Sequence, residues 1–226
     1  MRANWVALLL ALGALGNIAA AESADDELRA ALNSQPRTAH GARIYAKCVS
    51  CHGKDGGGST NGVTPALAGQ HARYLIKQIA EFRDHERFTG DVHDNAMREY
   101  IVNAQGIADV ASYLAELPPA RRSVVGSGRS TARGEELFKG ACQSCHGEAA
   151  IGSDDLGIPV LHGQHYHYLV RQMRDIMRSH RVNTPPDLAL LMHGMSTEDI
   201  EAIADYLSRL DGTQIASNLL GPIAQP

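Results

Sequence analysis

Two short stretches decide how this chain is read: "CVSCHG", Cys48 to Gly53, and "CQSCHG", Cys142 to Gly147. They stand 94 residues apart, from 48 to 142, and the offset recurs beyond them. Pro65, Leu67, Gly69, Gln70 and His71 return as Pro159, Leu161, Gly163, Gln164 and His165. Tyr74, Leu75 and Gln78 return as Tyr168, Leu169 and Gln172. A register held from the cysteines through Gln78 marks an internal duplication. It predicts two domains, near residues 25–118 and 130–212. Between them lies "LPPARRSVVGSGRSTARG", Leu117 to Gly134, where Pro118 and Pro119 stop a helix and no apolar period follows. Residues 119–129 are read as an exposed linker and 213–226 as a poorly ordered C-terminal tail.

The chain has 226 residues, a formal charge of −4 and 44% hydrophobic residues, ordinary values for a soluble globular protein. No basic run stands out, which argues against nucleic acid as a partner. Aromatic residues are only 5% of the chain, so two domains of this size need another apolar body to fill their cores. The first 21 residues are different material. Arg2 precedes an apolar run from Trp5 to Leu15, and Ala19-Ala20-Ala21 fits a small-residue cleavage site. Residues 1–21 are read as a signal peptide, placing the rest outside the cytoplasm. The rival, an uncleaved anchor, is short against the roughly 20 apolar residues a bilayer needs. No later stretch reads as a membrane span.

Helical periodicity runs through both halves. "ARYLIKQIAEF" and "HYLVRQMRDIM" carry apolar residues three and four apart, as do "IADVASYLAEL" and "IEAIADYLSRL". No run alternates with period two. The predicted class is all-α, each domain having a helix before its cysteines, a long loop, a middle helix and a closing helix.

Cys-x-x-Cys-His is the attachment signature for c-type haem. Cys48 and Cys51, then Cys142 and Cys145, have the spacing for two thioethers to one porphyrin, with His52 and His146 next in line for the iron. Zinc held by the four cysteines has the right ligand count but leaves both histidines unexplained. A thioredoxin-like redox pair needs a strand–helix setting that the pattern lacks. Two complete motifs, one per repeat, point to two covalently attached haem c groups.

With these motifs the sequence resembles the di-haem class I c-type cytochromes, most closely the cytochrome c4 group of periplasmic electron carriers. The resemblance rests on "CVSCHG…TPALAGQHARYLIKQ", "CQSCHG…IPVLHGQHYHYLVRQ" and the closing "IADVASYL" and "IEAIADYL". It implies two tandem class I cytochrome c domains, each around one haem. It makes His52 and His146 proximal ligands. It gives Pro65 and Pro159 the carbonyls that accept a hydrogen bond from those imidazoles.

The family takes its sixth ligand from a methionine between the middle and closing helices. In the first domain that is Met97, with His93 a substitute. In the second, "LLMHGMS", Leu190 to Ser196, offers several groups. Ser196 and Asp199 read as a capping box, with Met195 and Ile200 as its hydrophobic staple. That leaves Met192, whose distance from His146 nearly matches that from His52 to Met97. Counting back seven residues from Met195, as the family pattern directs, reaches Leu188, which cannot ligate. Met192, Met195, His193 and an open site all stay in play.

His71, His162, His165, His167 and His180 read as exposed or hydrogen-bonded. Gln70 and Gln164 either face a haem propionate or cap the middle helix. The resemblance implies a periplasmic electron shuttle that is not an enzyme. A quinol-oxidising complex or dehydrogenase would stand upstream, and a terminal oxidase or reductase downstream. The alternatives are a haem enzyme reducing peroxide or another small oxidant at an open second iron, and a fixed subunit of a membrane complex.

Overall fold

A computed structural model describes residues 24–87, 90–119 and 123–210. The expected signal peptide, the whole of the tail and residues 120–122 of the linker lie outside the described residues. Regular structure among those described is helical, apart from one isolated bridge between Ser153 and Ile158. The first half contains α1 (Ala24–Asn33), α2 (Thr38–Tyr45), α3 (Val49–His52), α4 (Ala72–Arg83), α5 (Asp91–Tyr100) and α6 (Ala104–Glu116). The second contains α7 (Thr131–Ala141), α8 (Gln143–His146), α9 (Tyr166–Met177), α10 (Pro186–His193) and α11 (Thr197–Arg209).

The periodic segments are the helices α4, α6, α9 and α11. Leu75, Ile76, Ile79 and Phe82 turn one face of α4 into the first core, where they meet Ile107, Val110 and Leu114 of α6. Leu169, Val170 and Ile176 do the same for α9 against Ile200, Ile203 and Leu207 of α11. Asn103 caps α6, its side chain accepting from the Gly106 N–H at 2.9 Å. The capping box on α11 is present in both directions between Ser196 and Asp199, and Met195 packs against the core that holds Ile200. Two helices, α5 and α10, escape a periodicity reading. The first is mostly polar, "DVHDNAMREY", and the second opens on the second proline of a pair and is apolar without a clear stripe.

In each half the helix before the cysteines crosses the closing helix at a glycine. A Cβ on Gly41 would land on the carbonyl of Asp109, and one on Gly134 on the carbonyl of Ala202. Beside each crossing two rings meet, Tyr45 with Tyr113 at 5.6 Å and Phe138 with Tyr206 at 5.7 Å between centroids. These equivalences run at an offset of 93, not 94. Three residues separate Phe138 from Cys142 where two separate Tyr45 from Cys48.

The described part of the linker is a strap fastened to the second domain, more than the exposed tether read from its composition. Val124 donates its N–H to His165 Nδ1 at 2.9 Å and accepts from Tyr166 N–H at 2.8 Å. Gly128 N–H reaches the Asp205 carboxylate at 2.8 Å, and Arg209 reaches the Gly126 carbonyl at 2.6 Å.

The repeated Gly-Gln-His segments join the two domains reciprocally. Gln70 donates to the Val160 carbonyl at 3.0 Å and accepts from Val160 N–H at 2.9 Å. Gln164 makes the same pair with Ala66, at 2.8 and 3.0 Å. His71 Nε2 lies 2.7 Å from the Ile151 carbonyl, and His165 Nε2 lies 2.8 Å from that of Gly57. Each glutamine oxygen also accepts the N–H of the next residue, His71 or His165, just before α4 or α9, at 2.9 Å. Helix capping, one of the two sequence readings, is not seen, since neither α4 nor α9 has a side-chain cap, and the glutamines take a role neither reading contained. Gln70→Ala combined with Gln164→Ala removes four buried interdomain hydrogen bonds. At about 1 kcal/mol each, about 4 kcal/mol of coupling is lost. Urea unfolding followed separately in each domain is expected to change from one shared transition to two.

Candidate haem-attachment sites

Each motif begins where a helix ends. Tyr45 closes α2, and Cys48 starts a tight turn in which the Cys51 and His52 N–H groups bond the Cys48 carbonyl at 3.2 and 3.0 Å. Cys145 and His146 bond the Cys142 carbonyl at the same two distances. The turn brings the two thiols and the imidazole together on one short helix, α3 or α8. Cys48 and Cys142 are half-buried and Cys51 and Cys145 exposed, and none is in a disulfide. Burial, then the neighbouring cysteine, pushes the Cys48 thiol up and that of Cys142 to about 11. Among the described residues no three metal-binding groups of the His, Cys, Asp or Glu type converge, so the four cysteines do not assemble the zinc site weighed above.

The histidines are held by their far nitrogens. His52 Nδ1 lies 3.2 Å from the Pro65 carbonyl, and His146 Nδ1 lies 3.3 Å from that of Pro159. A carbonyl can only accept, so each Nδ1 carries the proton and each Nε2 keeps its lone pair. Burial pushes the His52 imidazole down to about 4, opposed by the Pro65 hydrogen bond and assisted by His93. His146 is lowered by the same burial against the Pro159 bond. Both rings are neutral near pH 7. A neutral, oriented imidazole beside two thiols is the donor set that a covalently bound haem requires.

The methionine candidates stand on α5 and α10. Met97 is buried in the first core. One turn earlier on α5, His93 has its ring 6.4 Å from that of His52 and edge-on to Phe82 at 4.6 Å. In the second domain Met192 is 3% exposed, and Leu188 and Met195 are half-buried against the same core. His193 is exposed, its Nε2 3.0 Å from Ser179 Oγ.

The same turn, anchor and helical frame occur twice. A family model described as Cytochrome c matches residues 38–118 and again 131–211. The chain belongs to the cytochrome c family. Cytochrome c4 from Pseudomonas aeruginosa is 32% identical, with 91% of this chain and 97% of that one aligned. The crystal structure of reduced recombinant cytochrome c4 from Pseudomonas stutzeri superposes with a TM-score of 0.70. The match has 26% identity and covers 78% of this chain and all of that one. A protein of Stutzerimonas stutzeri named thiosulfate dehydrogenase electron acceptor is 29% identical over 79% of this chain and 90% of its own. This cytochrome is thus of the c4 type, with two tandem domains and two haem c attachment sites. It is an electron-transfer cytochrome. Among its described residues no helix is long and apolar enough to cross a membrane.

What sequence reasoning missed lies between the domains. Arg87 and Arg181 are also 94 residues apart, outside the segment where the repeat was traced, and both point into the interface.

Proposed function

We propose that this cytochrome is a periplasmic di-haem carrier that passes single electrons between respiratory proteins and transforms no substrate. The observation that carries the reading is the pair of Nδ1-anchored imidazoles, one per domain, joined by a reciprocal hydrogen-bonded interface. His52 and His146 would ligate the two irons, oriented by Pro65 and Pro159. Cys48, Cys51, Cys142 and Cys145 hold the porphyrins. Met97 and Met192, the buried sulfurs of α5 and α10, would supply the second ligand to each iron. Bound haem supplies a one-electron Fe(III)/Fe(II) couple, and thioether ligation raises its potential. The protein fixes imidazole tautomer, excludes water and keeps two such couples in one body.

The donor is a quinol-oxidising complex or a dehydrogenase, the latter in line with the relative named as a thiosulfate dehydrogenase electron acceptor. The acceptor is a terminal oxidase or reductase. Film voltammetry of the purified holoprotein tests the reading. Two reversible one-electron waves, unchanged by peroxide, are expected. A catalytic peroxide current that disappears in a His146 variant and persists in a Met192 variant would overturn it in favour of an open second iron.

A further inference from the structure

The first attachment site has a second imidazole. His93 of α5 has its ring centre 6.4 Å from that of His52, with the two planes tilted by 56°. A metal–imidazole bond is about 2.0 Å and the ring centre lies about 1.1 Å behind the nitrogen, so two imidazoles on one ion stand about 6.3 Å apart. His93 is also anchored as a metal-bound histidine is. Its Nδ1 lies 3.2 Å from the carboxylate of Asp94, which is fully buried. An ionised carboxylate only accepts, so Nδ1 carries a proton and the neutral ring keeps its lone pair on Nε2. Ligating histidines donate their other N–H to a carboxylate or a backbone carbonyl. His52 does so with Pro65 and His93 with Asp94. Phe82, edge-on to His93 at 4.6 Å, fixes the ring further.

Met97 lies four residues along α5, and residues four apart share one face of a helix. The helix is fastened at its methionine end. Arg83 donates to the Met97 carbonyl at 3.2 Å and to that of Ile101, which is buried. At its histidine end α5 opens on Gly90, at φ 125°, with no side-chain cap among the described residues. The residue 94 positions after His93 is Asp187, so the second domain does not repeat this imidazole.

We propose that His93 is a second axial ligand of the first iron, binding it in the oxidised state where Met97 binds it in the reduced state. The proposal rests on the two-haem carrier reading and deepens it. Thioether sulfur is soft and favours reduced iron, whereas imidazole nitrogen suits the oxidised form better. As one electron leaves for the redox partner, Met97 gives up its bond to the iron and His93 Nε2 forms one. No proton moves, because Nδ1 keeps its hydrogen towards Asp94.

The test uses holoprotein with two haems per chain, verified by pyridine haemochrome and mass. Wild type, His93→Ala and Met97→Leu are compared in the oxidised state by low-temperature EPR and near-infrared magnetic circular dichroism. Spectroelectrochemistry gives the potentials, and far-ultraviolet circular dichroism checks the fold. Oxidised wild type is expected to show a bis-imidazole ferric signal beside that of the second domain. His93→Ala is expected to convert it to an imidazole–thioether signal. The same variant should make one iron about a hundredfold harder to oxidise, a rise of about 120 mV for a one-electron couple. Met97→Leu is expected to keep the bis-imidazole signal and move the same wave the other way, and it carries the test alone if His93→Ala does not fold. The proposal is overturned by an oxidised wild type without the bis-imidazole signal, by a signal that survives His93→Ala, or by a first iron that turns high-spin in Met97→Leu. A potential unchanged in Met97→Leu also overturns it, because His93 then holds both states. Each of these outcomes leaves the carrier reading standing, since that reading fails on a catalytic peroxide current.

Discussion

Cys142→Ser combined with Cys145→Ser is expected to yield a chain with one covalent haem in place of two. Serine keeps the size of the side chain but provides no sulfur for a thioether. His146 and its Pro159 anchor are left intact, so any remaining iron contact is non-covalent and the cofactor is lost by dilution. The consequence extends beyond stoichiometry. The second core is assembled from few large side chains, Phe138 being its one buried phenylalanine ring. A bound porphyrin buries a larger apolar area than any of them, at about 25 cal/mol per Å². The second domain should therefore also lose most of its cooperative unfolding while the first retains its own. Intact-mass measurement and in-gel haem staining read the first effect, and thermal unfolding the second. Two haems by mass would refute the assignment of these thiols.

Gly134→Val is expected to unfold the second domain selectively. The new Cβ would meet the Ala202 carbonyl and the Tyr206 Cβ, and neither is free to move. The carbonyl belongs to α11, whose own hydrogen bonds hold it, and Tyr206 is pinned against Phe138. Overpacking into flexible side chains costs about 1–3 kcal/mol. Collision with helix backbone forces α7 away from α11 and costs more, at a crossing on which much of the second core depends. Gly140, six residues along the same helix, provides the control. Nothing lies within 4 Å of a Cβ there. Gly140→Ala is expected to stabilise the domain by about 0.5–1 kcal/mol through helix propensity alone. Comparable thermal shifts for the two variants would show that the crossing is not tight.

Much of the molecule is readable locally. The attachment turns depend on six consecutive residues each, and their hydrogen bonds close within four residues of Cys48 or Cys142. The helical class follows from the spacing of Leu75, Ile79 and Phe82 and of their counterparts. The capping box at Ser196 is a four-residue pattern, and it is present. Even the prolyl anchors lie only 13 residues from the histidines they orient. Helices α5 and α10 were less legible. Solvent and the attachment site compete for the faces of α5, so its apolar stripe is thin, and α10 opens at a proline with little periodicity.

The sequence by itself determined the duplication, the helical class and the chemistry of attachment, because each is written in residues close to one another along the chain. Only the tertiary structure decided what Gln70, Gln164, His71, His165, Arg87 and Arg181 do. Their partners lie 80 residues or more away in the chain, in the other repeat. A polar side chain carries no mark of whether it will meet water or another domain. Folding brought these twice-written polar residues face to face, and burial there turned ordinary surface chemistry into an interface.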